Sequence, residues 1–275
     1  MKKVIAIIIV VAIVLIGVGG VLIYKGYKDG YFTPEFIEKT YELEDFDNID
    51  IKIDVSDITL KKASDGKAKV EVRELEKFYH VVSVENNTLT ITQVDEMKTF
   101  EKWAIFTNLK VTIYLPKDAY DSIKVDSSVG NCESEELVQV NKLNVVATTG
   151  NVKFKNINVL TECNLSTSTG NVEVENVNAP SSNLSATTGN VKMTNFIVDG
   201  DLNVSTTTGN IKLTDIDSTG GMKFTASTGN IKGTVKSPRQ FMAKSSTGTI
   251  HVPYTAGPLC EIETSTGNID IQLSA

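Results

Sequence analysis

The run Leu202-Asn203-Val204-Ser205-Thr206-Thr207-Thr208-Gly209-Asn210-Ile211-Lys212-Leu213 alternates apolar and polar residues on both sides of a Gly-Asn pair. A motif built on Thr/Ser-Thr-Gly-Asn recurs with its glycine at Gly150, Gly170, Gly189, Gly209, Gly229, Gly248 and Gly267. Gly130, in Ser-Val-Gly-Asn, makes an eighth, weaker copy. The spacings are 20, 20, 19, 20, 20, 19 and 19 residues, and a fixed period of this length marks a repeat architecture.

Aligned on the glycine, the copies fall into columns. Seven residues before it stand Ile123, Leu143, Cys163, Leu202, Met222, Phe241 and Cys260, with Ser182 the polar exception. Five before it the column is apolar throughout, and three before it the residues are small. Two and four after it come Val152 and Phe154, Val172 and Val174, Val191 and Met193, Ile211 and Leu213. Charged residues such as Lys153, Glu173, Lys192 and Lys212 lie between them. This is period-two alternation, apolar inward and polar outward. Two architectures satisfy it. Gly-Asn can be a two-residue hairpin turn, or each copy can be one coil of a solenoid with Gly-Asn at a corner needing positive φ. Stacked coils, each seeing only its neighbours, explain why a column keeps one residue type, and a meander does not. The expected fold is all-β: a parallel β-solenoid with coils of 19–20 residues over 121–275. Residues 41–120 read as an irregular β cap, although Ile49–Leu60 has the repeat's shape, with Ser56-Asp57 where Gly-Asn stands later.

The amino terminus predicts a membrane anchor. After a stub at 1–3, Val4 to Tyr24 run 21 residues without a charge, enough to span a bilayer and longer than a signal peptide's apolar core. Residues 25–40 form a spacer. Lys2 and Lys3 favour an amino terminus in the cytoplasm, with the following domain outside. Residues 1–30 carry +3, so the remainder carries −10 of the chain's −7. A domain that acidic repels polyanions and excludes nucleic acid as a partner.

The run Ile113-Tyr-Leu-Pro116-Lys-Asp-Ala-Tyr-Asp-Ser-Ile123-Lys-Val125, leading into the Gly-Asn repeats, resembles a bacterial β-strand-repeat family labelled "putative adhesins". The resemblance covers roughly 41–275. It implies a β-solenoid fold and an envelope location, with members anchored in the membrane beside Lia-type envelope-stress signalling genes. It brings no catalytic residues.

Chemistry-bearing residues are sparse. Cys132, Cys163 and Cys260 fall in core columns, and Cys163 and Cys260 are spaced five coils apart, out of bridging reach. A Cys132–Cys163 disulfide across neighbouring coils is the alternative to three buried thiols. His251 sits in an outward column, and His80 shows no acid or nucleophile partner. No metal-ligand spacing, phosphate loop or nucleophile elbow occurs, and no cofactor is expected. Paired carboxylates, the minimum for glycosidic chemistry, are missing from successive regular coils.

The candidate interaction face is the outward column two before the glycine: Ser168, Thr187, Thr207, Ser227, Ser246 and Ser265. Such hydroxyls suit a glycan or protein contact, and equally suit any solvated strand. A second candidate is the last copy, Cys260 to Ile271, which ends near Ala275 with nothing after it that reads as a cap. An uncovered last coil invites end-to-end self-association or a partner. The expected function is a non-enzymatic, membrane-anchored, adhesin-like module outside the cell membrane. The alternatives are an accessory or sensor subunit in envelope-stress signalling and, more distantly, a polysaccharide-active β-helix enzyme.

Overall fold

The computed structural model describes residues 18–22, 24–26, 28, 35–97, 108–134, 136 and 139–274. The expected anchor at 4–24 lies largely outside the described residues, though 18–22 and 24 are helical. Among the described residues no helix is long and apolar enough to cross a membrane.

From residue 37 onward the described residues are mostly strand, wound into coils with two principal faces. Along the first face the strands stack in the order β6 (Thr88–Asp95), β2 (Asn48–Val55), β8 (Ala119–Val129), β10 (Gln139–Thr149), the second half of β11 (Val152–Thr169), β13 (Ser182–Thr188), β15 (Leu202–Thr208), β17 (Met222–Thr228), β21 (Leu259–Thr266) and β19 (Gln240–Thr247). The second face runs β7 (Lys110–Leu115), β3 (Asp57–Lys62), β9 (Cys132–Ser134), the first half of β11, β12 (Val172–Ala179), β14 (Val191–Val198), β16 (Ile211–Ser218), β18 (Ile231–Val235), β22 (Ile269–Leu273) and β20 (Ile250–His251). Every pairing within these two stacks is parallel. Gly-Asn is therefore a coil corner and not a hairpin turn. Antiparallel strands close one end: β5 (Phe78–Glu85) on β6, β4 (Lys69–Glu74) on β7, and β1 (Ile37–Glu42) on β4.

The inward columns fill one continuous core running from Phe46 to Ile271. At the corners each glycine has φ between 136° and 155°, a region only glycine enters freely. The reason is also one of space. A Cβ on Gly209 would lie 1.9 Å from the carbonyl oxygen of Gly189, and the same overlap recurs from Gly130 to Gly267. Each corner glycine except the outermost, Gly248, then donates its N–H to the threonine carbonyl of the next coil, as in Gly150 N to Thr169 O at 2.8 Å.

Beside the glycines runs an asparagine ladder. Asn171 Oδ1 accepts from both the backbone N–H (2.8 Å) and the side-chain amide (3.2 Å) of Asn190, and the pattern repeats coil by coil. It starts at Asp57, whose carboxylate only needs to accept, from Asn131 N at 2.8 Å. A second ladder follows the bend six residues after the glycine. Asn156, Asn176 and Asn195 adopt φ of 54°, 54° and 48°, and each of the last two donates its amide to the one before at 3.0 Å.

The coil order corrects one sequence expectation. The last repeat is not the end of the stack. Its strands β21 and β22 insert between the Gly229 coil and the Gly248 coil, so Asn268 N donates to Asn230 Oδ1 and Thr249 N to Asn268 Oδ1. The Gly248 coil is outermost. Glu261, Glu263 and Asp270 of the last repeat consequently sit one layer inside the end. The first coil behaves alike: the Ser56-Asp57 coil packs directly on Gly130, with the later β6 and β7 outside it. Cys163 and Cys260 are thus four strands apart (Cys163, Ser182, Leu202, Met222, Cys260) and not five.

Gly209→Ala should therefore cost more than about 4 kcal/mol in chemical denaturation, in the range reserved for forced overlap in a core. Gly66→Ala, with φ of 68° but open space around it, should cost only about 1–2 kcal/mol. Equal losses would mean that conformational strain, and not the carbonyl contact, governs the corners.

Candidate functional site

The hydroxyl face is present as a flat double row. Ser168, Thr187, Thr207, Ser227, Ser246 and Ser265 are all exposed, and so are the threonines that follow each of them, Thr169, Thr188, Thr208, Thr228, Thr247 and Thr266. Their spatial order runs Ser227, Ser265, Ser246, because β21 precedes β19 in the stack. Stacked strands put successive rungs about 4.8 Å apart. The small inward residues fix the row from behind: Thr206 Oγ1 donates to Gly189 O at 2.9 Å and Thr264 Oγ1 to Gly229 O at 3.0 Å. Ser166, Ser185 and Thr225 are half-buried beside the row, and Ser205 is exposed.

The three cysteines are free and buried. Cys132 lies on the second face and Cys163 on the first, and the alternative disulfide between them is not formed. Burial pushes each thiol up to about 12. A thiolate is the reactive form, so these thiols are shielded twice over. His251 is exposed, as its column requires. Among the described residues no group of His, Cys, Asp and Glu is placed to hold a metal ion.

His80 does have partners, and sequence reasoning missed them. Its Nδ1 lies 3.1 Å from Glu74 Oε2 and its Nε2 2.9 Å from Ser56 Oγ. A carboxylate only accepts, so Nδ1 carries the proton and Nε2 accepts. Lys39 Nζ ion-pairs with the other oxygen, Glu74 Oε1, at 2.6 Å. Gln93 completes the cluster where β6 leaves β2: its Oε1 accepts from Val55 N at 2.8 Å and its Nε2 donates to Val55 O at 2.9 Å. The arrangement has the spacing of a Ser-His-Glu triad without the room for one. Ser56, His80 and Glu74 are 2%, 2% and 0% exposed. The nearest oxyanion donors are already taken, Ser56 N by Val129 O and Asp57 N by Leu109 O. The cluster fastens the antiparallel cap to the first coil corner. No signal in the sequence joined the three residues, because the cap's antiparallel turns bring them together.

Burial holds the His80 imidazole below its ordinary pKa, against the opposing pull of Glu74. A base whose folded pKa is depressed contributes stability above its unfolded value, near 6.5, and loses it as pH falls further. The melting temperature of the native chain should therefore drop between pH 7 and pH 5 more than that of His80→Gln. Parallel curves would show that His80 is not held neutral. In the same preparation a thiol reagent should label no cysteine until denaturant is added.

None of the curated proteins matches the chain. Among solved structures, a putative adhesin from Bacteroides fragilis NCTC 9343 superimposes with a TM-score of 0.56 at 19% identity, covering 88% of this chain and 99% of its own. A putative lipid binding protein from Parabacteroides distasonis ATCC 8503 gives 0.49 at 18%, covering 88% and 98%. At such an identity the first of these likenesses speaks for the fold alone. The family description "Toastrack DUF4097" matches residues 46–273, nearly the whole of the coiled region, and the chain belongs to that family.

Proposed function

We propose that this protein is a non-enzymatic, membrane-anchored module displayed outside the cell membrane, which contacts an envelope glycan or protein through its hydroxyl face. The observation that carries the reading is the exposed double row of Ser and Thr from Ser168 to Ser246, set in register by the close backbone stacking at the glycine corners. A rigid, neutral array of donors and acceptors at strand spacing suits a polymer whose own hydroxyls repeat, and it costs little ordering entropy on contact. The uncharged run from Val4 to Tyr24 supplies the anchor, and the lysines before it set the orientation. The acidic remainder of the domain disfavours nucleic acid and anionic polymers along the body of the stack.

Two measurements test this. Thr207→Cys adds one exposed thiol to a chain whose own three are shielded. A membrane-impermeant maleimide should label it in intact cells, and labelling only after lysis would place the domain on the other side. Replacing Thr187, Thr207 and Ser227 together with Lys should change stability by only about ±0.5 kcal/mol per site. It should also release the protein from isolated envelope glycan in a pulldown. Retention by the triple variant would remove the hydroxyl face as the contact.

A further inference from the structure

We infer that the outermost coil, not the hydroxyl face, carries a second interaction surface: an open sheet edge that accepts an extended, acidic strand from a partner protein. Among the described residues β19 pairs only with β21, and β20 only with β22, so their outer edges present unpaired backbone donors and acceptors. Such an edge is a template for strand addition. At the opposite end the two parallel faces are covered by antiparallel strands, β5 on β6 and β4 on β7, so the edges there belong to β5 and β1 and not to a coil of the stack.

Three observations select the occupant. The first is the half-open core. Phe241 and Ala243 are only half-buried, whereas their counterparts one layer in, Cys260 and Ile262, are 0% and 1% exposed. Ile250, in the inward column after the corner, is 40% exposed, whereas its counterpart Ile269 is 0% exposed. A strand with an apolar residue at every second position would complete the inward column. The second is charge. From Ser218 to Cys260 the chain has no Asp or Glu, and Lys223, Lys232, Lys236, Arg239 and Lys244 make this stretch +5, leaving −12 for the remainder of a chain of −7. Arg239 is spent inside, on Asp217 and the Gly220 carbonyl. On the outward face the layers alternate in sign: Lys244 of the outermost strand lies 3.3 Å from Glu263 one layer in. An acidic side chain on the next strand would continue that alternation. The third observation argues against a second copy of this chain. From Asn131 to Asn268 every coil offers an asparagine oxygen to the next coil's backbone N–H, but the outermost has Thr249, whose hydroxyl is turned back to Asn268 Oδ1 at 3.1 Å. A further repeat stacked in register would find no carboxamide there. A foreign strand does not need one.

The test uses the full chain in detergent micelles and three fluorescent peptides: alternating Val and Glu, alternating Val and Lys, and the Val/Glu peptide with a central Pro. Fluorescence anisotropy should show saturable binding of the Val/Glu peptide. The Val/Lys peptide should bind at least about ten-fold more weakly, since like-charge juxtaposition is penalised at an interface. The Pro peptide should not bind. Lys244→Glu should reverse the preference, whereas Lys212→Glu, exposed on an inner coil, should leave it unchanged. No binding by a chain that melts normally would overturn the inference, as would equal binding of the two charged peptides. Concentration-dependent self-association that Lys244→Glu abolishes, without peptide binding, would overturn it in favour of a second copy.

Discussion

Everything in this protein depends on one close approach. At each coil corner a carbonyl oxygen lies where a side chain would begin, and glycine is the residue that lets the backbones stack. That contact sets the layer spacing and brings each threonine carbonyl onto the next glycine N–H. It also aligns the asparagines, so that each Oδ1 takes two donors from its neighbour. A side-chain amide exposed to water is worth little alone, about 1 kcal/mol net for each bond. Ranked in register from Asn131 to Asn268, the amides satisfy the corner N–H groups that the bend leaves outside the strand pairing.

The same ladder explains where the stack stops. It begins on a group that only accepts, Asp57, and ends on Thr249, which has no amide to hand on. The chain's first and last coils are both interior, and the segments that cover them come from further along or further back in the sequence. The last strand, β22, is thereby paired on both sides, and the open edge at this end of the two parallel stacks falls on β19 and β20, where no acidic residue lies nearby along the chain. The faces and the ends of this solenoid consequently offer different chemistry: neutral hydroxyls along the body, and an open apolar and basic edge at the tip.

Much of this was legible in the sequence, for a physical reason. In a parallel stack each residue meets its equivalent, so column identity is a direct record of packing. The buried Leu202 and Val204, the exposed Lys212 and the exposed hydroxyl row all follow from column position alone. Coil order could not be assigned by phase, because Gly248 and Gly267 keep the same period and either could follow Gly229. The signal lay in one residue. Thr249 breaks the Gly-Asn rule, and only an outermost coil tolerates that. The second ladder was visible too, as Asn156, Asn176 and Asn195 six residues after their glycines, but it lies beyond the strict alternation that drew attention. The Ser56–His80–Glu74 cluster had no periodic signature at all. Its three members come from a coil corner and two antiparallel cap strands, and only tertiary pairing unites them.

The central claim is that backbone stacking at the corners, and not sequence order, decides which coils are neighbours. Paired cysteine substitutions test it most directly, since Thr228 lies directly across from Thr266, with Thr247 one strand beyond. Under mild oxidation the Thr228→Cys/Thr266→Cys chain should form an intramolecular disulfide, and the Thr228→Cys/Thr247→Cys chain, about 10 Å apart across two strand spacings, should not. Crosslinking of the second pair and not the first would mean that the coils stack in sequence order, and it would contradict the account.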